Sequence, residues 1–247
     1  MINTNLILGD CLIKLKEIPD NSVDLVVTSP PYNKKGLSGE SKVSNHVWKK
    51  FNINYNEYGD NMNEDEYQIW MVDILNELYR VIKPTGSVFF NHKPRRYNNN
   101  VILPSTFIEK SNLNIYQLII WNRKSSPNIR KDVLLPNTEH VYWLSKDKPS
   151  TYKENLPKIY NTEVWDITVG RQKEHPAPFP TQLVENCINL TTLETDIVLD
   201  PFMGSGTTAE VCVYMNRNFV GIEMDEKYMN ISKDRIEKAK NTILKFT

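Results

Sequence analysis

The stretch Ile197-Val198-Leu199-Asp200-Pro201-Phe202-Met203-Gly204-Ser205-Gly206-Thr207-Thr208 indicates the fold of the chain. Its first three residues predict a buried strand, Asp200 follows at the tip, and the glycines permit a tight turn into a helix. About twenty residues further on, the predicted strand 219–222 ends in Glu223, where an acid can accept hydrogen bonds from a ribose diol. Together these features predict a nucleoside pocket where two strands end.

Three other glycine-containing motifs do not match the same letters. A phosphate-binding P-loop requires Gly-Lys-Ser/Thr, whereas Gly206 is followed by Thr207. A hydrolase elbow requires glycine two residues before the serine, where Met203 stands. A dinucleotide fingerprint requires a third glycine, and Ala209 occupies that position. The chain is therefore not predicted to be a P-loop protein, an α/β-hydrolase or a dinucleotide-binding enzyme.

Outward from this stretch, short apolar runs alternate with segments of helical periodicity. The runs predict strands at 6–8, 23–27, 87–90, 116–121, 139–144, 197–199 and 219–222. The periodicity predicts helices over 64–82 and 225–245. Such alternation indicates an α/β fold with a doubly wound, mostly parallel sheet, which binds ligands at the carboxyl ends of its strands. Residues 33–63 and 145–173 fit this pattern poorly and are predicted to be loop excursions.

A second motif, Thr28-Ser29-Pro30-Pro31-Tyr32-Asn33, ends the predicted strand 23–27. The two prolines stop the strand and remove two N–H donors, so the carbonyls of Ser29 and Pro30 point outward from a rigid turn. A serine hydroxyl and a tyrosine ring lie beside them in sequence. The motif predicts a cluster of hydrogen-bond acceptors with an aromatic platform.

Composition limits the classes of function. The 247 residues include 30 basic and 30 acidic side chains and are 40% hydrophobic, which fits a single domain spanning residues 1–247. The three cysteines lie far apart without metal-ligand spacing, and no apolar run approaches the roughly 20 residues needed to cross a bilayer. We therefore expect a cytoplasmic protein with no metal site and no membrane partner.

Charge is unevenly distributed along the chain. Residues 93–131 contain eight basic side chains and a single acid, Glu109. A solvated surface is the simplest explanation of such a run, and a polyanionic partner is the alternative.

Both motifs resemble those of the S-adenosylmethionine-dependent DNA amino-methyltransferases of restriction-modification systems. The motif at 28–32 resembles the catalytic motif of that family, and 200–208 resembles its cofactor loop. The catalytic motif comes first, as in the circularly permuted beta class. The resemblance covers most of the chain outside 33–63 and 145–173, and it implies a Rossmann-like class I methyltransferase fold that uses S-adenosyl-L-methionine.

The resemblance also implies roles for individual residues. The catalytic set, which would receive and stack on a base swung out of the duplex, is Ser29, Pro30, Pro31 and Tyr32. The cofactor set is Asp10 and Cys11 at the adenine, Glu223 at the ribose, Asp200, Phe202, Gly204, Ser205, Gly206 and Thr207 at the methionine part, and Pro180 closing the pocket. Candidate contacts to double-stranded DNA are Lys49, Lys50, Arg95, Arg96, Arg123, Lys124, Arg130 and Lys131.

The target base and the partners are less strongly determined. In the family, serine at the first motif position goes mostly with cytosine N4, so Ser29 favours cytosine, and adenine N6 is the alternative. Methylation of cytosine at carbon 5 proceeds through a cysteine nucleophile, which in that family belongs to a Pro-Cys pair. No cysteine of this chain follows a proline, so carbon methylation is disfavoured. Two further alternatives are a catalytically silent DNA-binding subunit and a methyltransferase acting on RNA or protein glutamine. The resemblance also suggests a homodimer and a cognate restriction endonuclease.

Overall fold

The computed structural model describes residues 2–33, 62–97, 99–124, 133–168 and 180–244. Ten strands lie in these segments: β1 (Thr4–Leu8), β2 (Val23–Thr28), β3 (Ile82–His92), β4 (Arg95–Tyr97), β5 (Asn100–Ile102), β6 (Asn114–Asn122), β7 (Thr138–Ser145), β8 (Val164–Asp166), β9 (Ile197–Asp200) and β10 (Asn218–Glu223). The helices are α1 (Cys11–Leu15), α2 (Glu64–Val81), α3 (Ser105–Ile108), α4 (Thr181–Thr191), α5 (Thr207–Tyr214) and α6 (Glu226–Leu244). Two 3₁₀ turns cover Lys153–Asn155 and Lys158–Tyr160.

Eight of these strands form one sheet in the order β1-β10-β9-β2-β3-β7-β6-β8, and β4 pairs with β5 in a separate ribbon. Neighbours from β1 to β3 are parallel, whereas β7 is antiparallel to both β3 and β6. Strand β8 is again parallel to β6. The mostly parallel α/β sheet is therefore confirmed, and its one reversed strand among the described residues is β7.

The core consists of two apolar layers, one on each face of the sheet. Residues alternate between the layers along β2, because successive side chains of a strand point to opposite faces. Leu25 and Val27 pack with α4 and α5, whereas Val26 packs with α1, α2 and α3. Helices thus cover both faces, as a doubly wound sheet requires.

The ends of α2 follow from its sequence. Asn63 caps the helix by accepting a hydrogen bond from the Asp65 N–H at 2.9 Å, and three acids occupy the first turn, where the helix dipole favours them. The helix ends at Val81, one residue earlier than predicted, because β3 begins directly at Ile82.

The structure corrects the expectation that 145–173 is a loop excursion. Within its described part, β8 joins the sheet beside β6, and Trp165 at its centre is 1% exposed. Leu156 and Ile167 are buried in the same core layer. Strand β8 has only three residues, which are too few for the alternation of apolar and polar side chains to indicate a strand. Most of the other predicted excursion, 33–63, lies outside the described residues.

No helix in the described part of the chain is both long and apolar enough to cross a membrane. Cys11, Cys187 and Cys212 are all buried free thiols.

Candidate functional site

The two motifs of the sequence meet at one edge of the sheet. The parallel strands β2 and β9 are neighbours, so their carboxyl ends lie side by side. The Thr28 hydroxyl at the end of β2 donates to Asp200 Oδ1 at the end of β9 over 2.8 Å. On the far side of β10, the Gly9 N–H donates to the Glu223 carbonyl over 2.9 Å. The edge therefore brings Ser29, Asp200, Glu223 and Asp10 into one region, as the sequence predicted.

Asp200 is a buried carboxylate whose hydrogen-bond donors are all neutral. Its Oδ1 also accepts from the Phe202 N–H at 3.1 Å, and its Oδ2 accepts from the Thr208 hydroxyl at 2.7 Å. Burial raises the pKa of Asp200 from 3.8 to about 6, although these hydrogen bonds act in the opposite direction. A cation bound close to this carboxylate would restore its ordinary acidity.

The loop after Asp200 turns on two glycines. Gly204 and Gly206 have φ of 54° and 80°, a left-handed conformation that disfavours other residues. The Gly204 N–H donates to Glu223 Oε2 at 2.8 Å, and the Ser232 hydroxyl donates to the Gly204 carbonyl at 2.7 Å. A Cβ on Gly206 would lie 2.9 Å from Ser232 Oγ. The loop is therefore held against α6 in a shape that both glycines make possible.

Glu223 ties this loop to the start of α6. Its Oε1 accepts from the Asp225 N–H at 2.9 Å, while its Oε2 holds Gly204. Burial is the main cause that raises the pKa of Glu223, and the backbone N–H groups of Asp225, Gly204 and Met224 act against that shift. We call Asp200, the loop 202–207 and Glu223 the cofactor-side cluster.

The other predicted cofactor residues lie around this cluster with different roles for their side chains. Asp10 caps α1 by accepting from the Ile13 N–H at 3.1 Å. Cys11 is 5% exposed and its thiol packs in the core, so the contact of Cys11 with adenine stays a prediction that would fall to its backbone. The Thr207 hydroxyl accepts from Arg235 at 3.0 Å, and Pro180 is buried at the start of α4.

Phe202 and Ser205 complete the predicted set. The Phe202 ring meets Trp70 of α2 edge-on, with centroids 5.8 Å apart. Ser205 is 9% exposed, and its carbonyl accepts from Arg235 at 3.5 Å. Phe202 thus links the loop to the helix layer on one face of the sheet, and Ser205 links it to α6.

A second polar cluster surrounds the Ser-Pro-Pro-Tyr motif. Ser29 Oγ lies 2.8 Å from the Tyr32 hydroxyl, which donates to Glu139 Oε2 over 3.1 Å. Asn91 Nδ2 lies 2.8 Å from the Tyr32 oxygen, 3.0 Å from Glu139 Oε2 and 3.3 Å from Ser29 Oγ. Arg123 donates to Glu139 Oε1 at 2.7 Å. We call these five residues the base-side cluster.

The direction of the hydrogen bonds in this cluster can be assigned. A carboxylate only accepts hydrogen bonds, so Tyr32 donates its single hydroxyl proton to Glu139. Ser29 must then donate to the Tyr32 oxygen, because Tyr32 has no second proton. Asn91 Nδ2 can only donate, and it shares its two protons among the three oxygens, since the opposite orientation of its amide would bring its oxygen against the Glu139 carboxylate. Burial and the nearby Glu139 charge raise the pKa of Tyr32 well above its usual range, so its proton stays in place.

Further contacts hold the backbone of the motif. The Tyr67 hydroxyl donates to the Pro31 carbonyl over 2.8 Å and lies 2.8 Å from His92 Nε2. The Tyr32 ring packs on His92 with centroids 4.6 Å apart and remains partly exposed. His92 is fully buried, so its ring supports the motif from within the core.

Two of the predicted DNA contacts are corrected by the structure. Arg95 forms a bidentate pair with Glu64 at 2.7 Å for both bonds, and its side chain is 4% exposed. Arg123 is committed to Glu139, and its side chain is 18% exposed. Each guanidinium is paired with a largely buried carboxylate, so neither is a free surface cation of the kind predicted to contact phosphates.

The remaining predicted DNA contacts divide into two groups. Arg96 is exposed, and Lys124 is exposed with its Nζ 3.2 Å from Asp166. The others lie outside the described residues: Lys49, Lys50, Arg130 and Lys131.

Asn91 and Glu139 were not predicted from the sequence. Ligand sites are expected at the carboxyl ends of parallel strands, but β7 is antiparallel and brings its amino end, with Glu139, to the same edge. Asn91 lies opposite Val141 in the β3–β7 ladder, one residue before His92. The available signal was a polar pair, Asn91-His92, at the end of a strongly apolar strand.

Comparisons with known proteins agree with this geometry. Residues 23–234 match the N6/N4 methyltransferase family model, which is described as DNA methylase. The chain is 27% identical over 251 residues to the type II methyltransferase M.HinfI of Haemophilus influenzae, which covers 94% of this chain and 68% of that protein.

Solved structures give the same result for the fold. PvuII DNA methyltransferase (cytosine-N4-specific) superposes with a TM-score of 0.77 at 23% identity, covering 99% of this chain and 94% of that chain. The M1.HpyAVI–SAM complex superposes with a TM-score of 0.63 at 21% identity, covering 94% of this chain and 99% of that chain. These likenesses confirm the predicted class I methyltransferase fold.

Proposed function

The chain belongs to the DNA methylase family of N6 and N4 methyltransferases, and on that premise we propose that it methylates the N4 amino group of cytosine in double-stranded DNA. The observation that carries the proposal is the 2.8 Å hydrogen bond from Thr28 to Asp200. It joins the strand that ends in Ser29 to the strand that opens the glycine loop. A base amine held at Ser29 would therefore lie beside a ligand held by that loop.

S-adenosyl-L-methionine supplies a methyl group activated on a positively charged sulfur. The cofactor-side cluster fits such a ligand by charge. Asp200 is a buried carboxylate whose donors are two hydroxyls and one N–H, and none of them carries a charge. Glu223 adds a second acid at the end of the neighbouring strand. A cationic methionine group suits the first carboxylate, and a ribose diol suits the second.

The motif residues act on the base. An exocyclic amine is a poor nucleophile because its lone pair is delocalised into the ring. Acceptors on its two N–H bonds favour the pyramidal nitrogen of the transition state. Ser29 Oγ and the Pro30 carbonyl supply two acceptors, and the Tyr32 ring supplies a stacking surface. Because the amine is inaccessible in a paired duplex, the base must first be flipped out.

The choice of cytosine over adenine rests on Ser29 at the first motif position. The family takes in both N6 and N4 enzymes, so adenine N6 is the second candidate. We keep the homodimer and the cognate endonuclease as proposals drawn from the resemblance alone.

Mass spectrometry of nucleosides tests the proposal. The pure protein would be incubated with S-adenosyl-L-methionine and unmodified genomic DNA, and the DNA would be digested completely. N4-methylcytosine is the expected product, and it should form far more slowly when Ser29→Ala replaces the wild-type protein. N6-methyladenine would overturn the base assignment and leave the family activity intact. No methylated nucleoside at all would favour the silent subunit or a substrate other than DNA.

A further inference from the structure

Glu139 lies at the end of a chain of hydroxyl groups that begins at the proposed target amine. The chain runs from Ser29 Oγ through the Tyr32 hydroxyl to Glu139 Oε2, with spacings of 2.8 and 3.1 Å. Every hydroxyl in such a chain has one proton, so fixing the direction at one end fixes it throughout. The carboxylate is the one member that cannot donate.

Arg123 and Asn91 both donate to this carboxylate, which can only accept. Arg123 donates to Oε1 at 2.7 Å, and the side chains of Glu139 and Arg123 are only 9% and 18% exposed. Asn91 donates to Oε2 at 3.0 Å. Asn91 also approaches Ser29 at 3.3 Å, but an amide N–H can only donate there. Nothing in the cluster therefore opposes the direction that Glu139 sets.

We propose that Glu139 is a positioning residue that makes Ser29 an obligate hydrogen-bond acceptor, so that the site selects a base bearing an amino group over one bearing a carbonyl. This inference rests on the proposed function, because it concerns the base held at Ser29. With its proton committed to Tyr32, Ser29 presents a lone pair to an N–H of the base. A carbonyl oxygen at the same place would meet a second acceptor.

The substitution Glu139→Gln is expected to remove the fixed direction of the chain. The Gln oxygen would stay on Arg123, which leaves the new NH₂ group facing the Tyr32 oxygen and Asn91, whose amide must turn to accept from it. Tyr32 then has no carboxylate to donate to, so its proton can turn to Ser29 and the Ser29 proton can point toward the base. Tyr32→Phe keeps the ring but cuts the chain, so the Ser29 hydroxyl could turn either way.

Binding without methyl transfer tests the proposal. Once the methylated site is known, two duplexes are compared in the absence of cofactor. One carries the target base, and the other carries its deaminated analogue, uracil for cytosine or hypoxanthine for adenine. For each protein, the dissociation constant of the deaminated duplex divided by that of the amino duplex measures its preference for the amino base. This preference should be roughly tenfold to a hundredfold larger for the wild type than for Glu139→Gln, the range expected for an unpaired polar contact. Differences in how easily each duplex opens cancel, because both proteins bind the same two duplexes.

The variants separate this role from general destabilisation. Tyr32→Phe should give a ratio between those of the wild type and Glu139→Gln, and it leaves the pair between Glu139 and Arg123 in place. Glu154→Gln, at an exposed glutamate, is the matched control and should keep the wild-type ratio. Thermal unfolding and S-adenosyl-L-methionine binding check that each variant is folded.

The outcomes distinguish this inference from the proposed function. If the wild type methylates DNA and folded Glu139→Gln and Tyr32→Phe both keep the wild-type ratio, the positioning role is refuted while the function stands. If the wild type yields no methylated nucleoside, the proposed function itself fails.

Discussion

The cofactor-side and base-side clusters are neighbours at one sheet edge, but they are assembled in different ways. The cofactor-side cluster comes from residues 200–223, on two adjacent parallel strands and the loop between β9 and α5. The base-side cluster draws on residues between 29 and 139, including one from the antiparallel β7. Backbone N–H groups supply most of the donors to Glu223, whereas side chains supply those to Glu139. The Glu223 part of the first cluster therefore depends on backbone conformation, whereas the second cluster depends on the direction of its side-chain hydrogen bonds.

The substitution Asp200→Asn should have the largest effect, and it should be confined to the cofactor side. It removes the buried negative charge, so S-adenosyl-L-methionine affinity should fall at least about a hundredfold, the loss of a charge-assisted contact. Titration calorimetry measures this affinity. Asp147→Asn, at an exposed site, is the control and should bind normally.

The same substitution should leave the unliganded protein as stable as before, or more stable. The pKa of Asp200 is raised in the folded state to about 6, so above that pH its charge costs stability. Raising the pKa from 3.8 to about 6 lowers the free energy of unfolding by at most about 3 kcal/mol. Thermal unfolding at pH 7.5 should show an unchanged or higher midpoint. Normal cofactor binding by this variant would remove Asp200 from the cofactor site.

The substitution Ser29→Ala should have the next largest effect, on the base side alone. Methyl transfer in a single turnover should slow by roughly a hundredfold to a thousandfold, as expected for a lost transition-state hydrogen bond. Cofactor affinity should stay within about twofold, because the cofactor-side cluster contains no atom of Ser29. Ser150→Ala is the matched control, since the Ser150 N–H bonds Thr85 near the start of β3, at the opposite edge of the sheet. Loss of cofactor binding in Ser29→Ala would show that the two clusters are not independent.

The difference between the clusters also explains how far the sequence predicted them. Asp200, Gly204, Gly206 and Glu223 follow one another along consecutive elements, so local spacing was enough to group them. Glu139 is more than a hundred residues from Ser29, and the link depends on β7 being antiparallel. Short apolar runs do not specify strand direction, so this contact could not be read from the pattern.

The surface was predicted less well than the buried strands, for a related reason. The sequence does not distinguish a basic residue that faces solvent from one that is paired with a buried acid. Arg95 and Arg123 pair with Glu64 and Glu139, which are 31 and 16 residues away in sequence. Local charge counting cannot reveal such pairs. Strand β8 was not predicted either, because its three residues are too few for a period-two pattern, although Trp165 at its centre is buried.

A change of pH should alter S-adenosyl-L-methionine affinity by a smaller factor than the substitution Asp200→Asn. The pKa values of Asp200 and Glu223 are both raised by burial, that of Asp200 to about 6. Lowering the pH through this range protonates Asp200, so S-adenosyl-L-methionine binding should weaken by up to about tenfold per pH unit below 6. Titrations between pH 5 and 8 measure this slope. Asp200→Asn should flatten it, and an unchanged slope in that variant would assign the titration to another group.

The smallest expected effect concerns the proposed contact between Arg96 and DNA. Arg96 is exposed, whereas its neighbour Arg95 is buried against Glu64, so Arg96 is the one of the two that can reach a phosphate. Arg96→Ala should weaken DNA binding by a few-fold at moderate salt and lower the slope of log affinity against log salt by about one. Lys238→Ala is the control, because Lys238 lies twelve residues into α6, about 18 Å from the edge where that helix begins. Equal salt slopes for the two variants would mean that the duplex does not contact Arg96, and that the basic character of 93–131 serves mainly to neutralise buried acids.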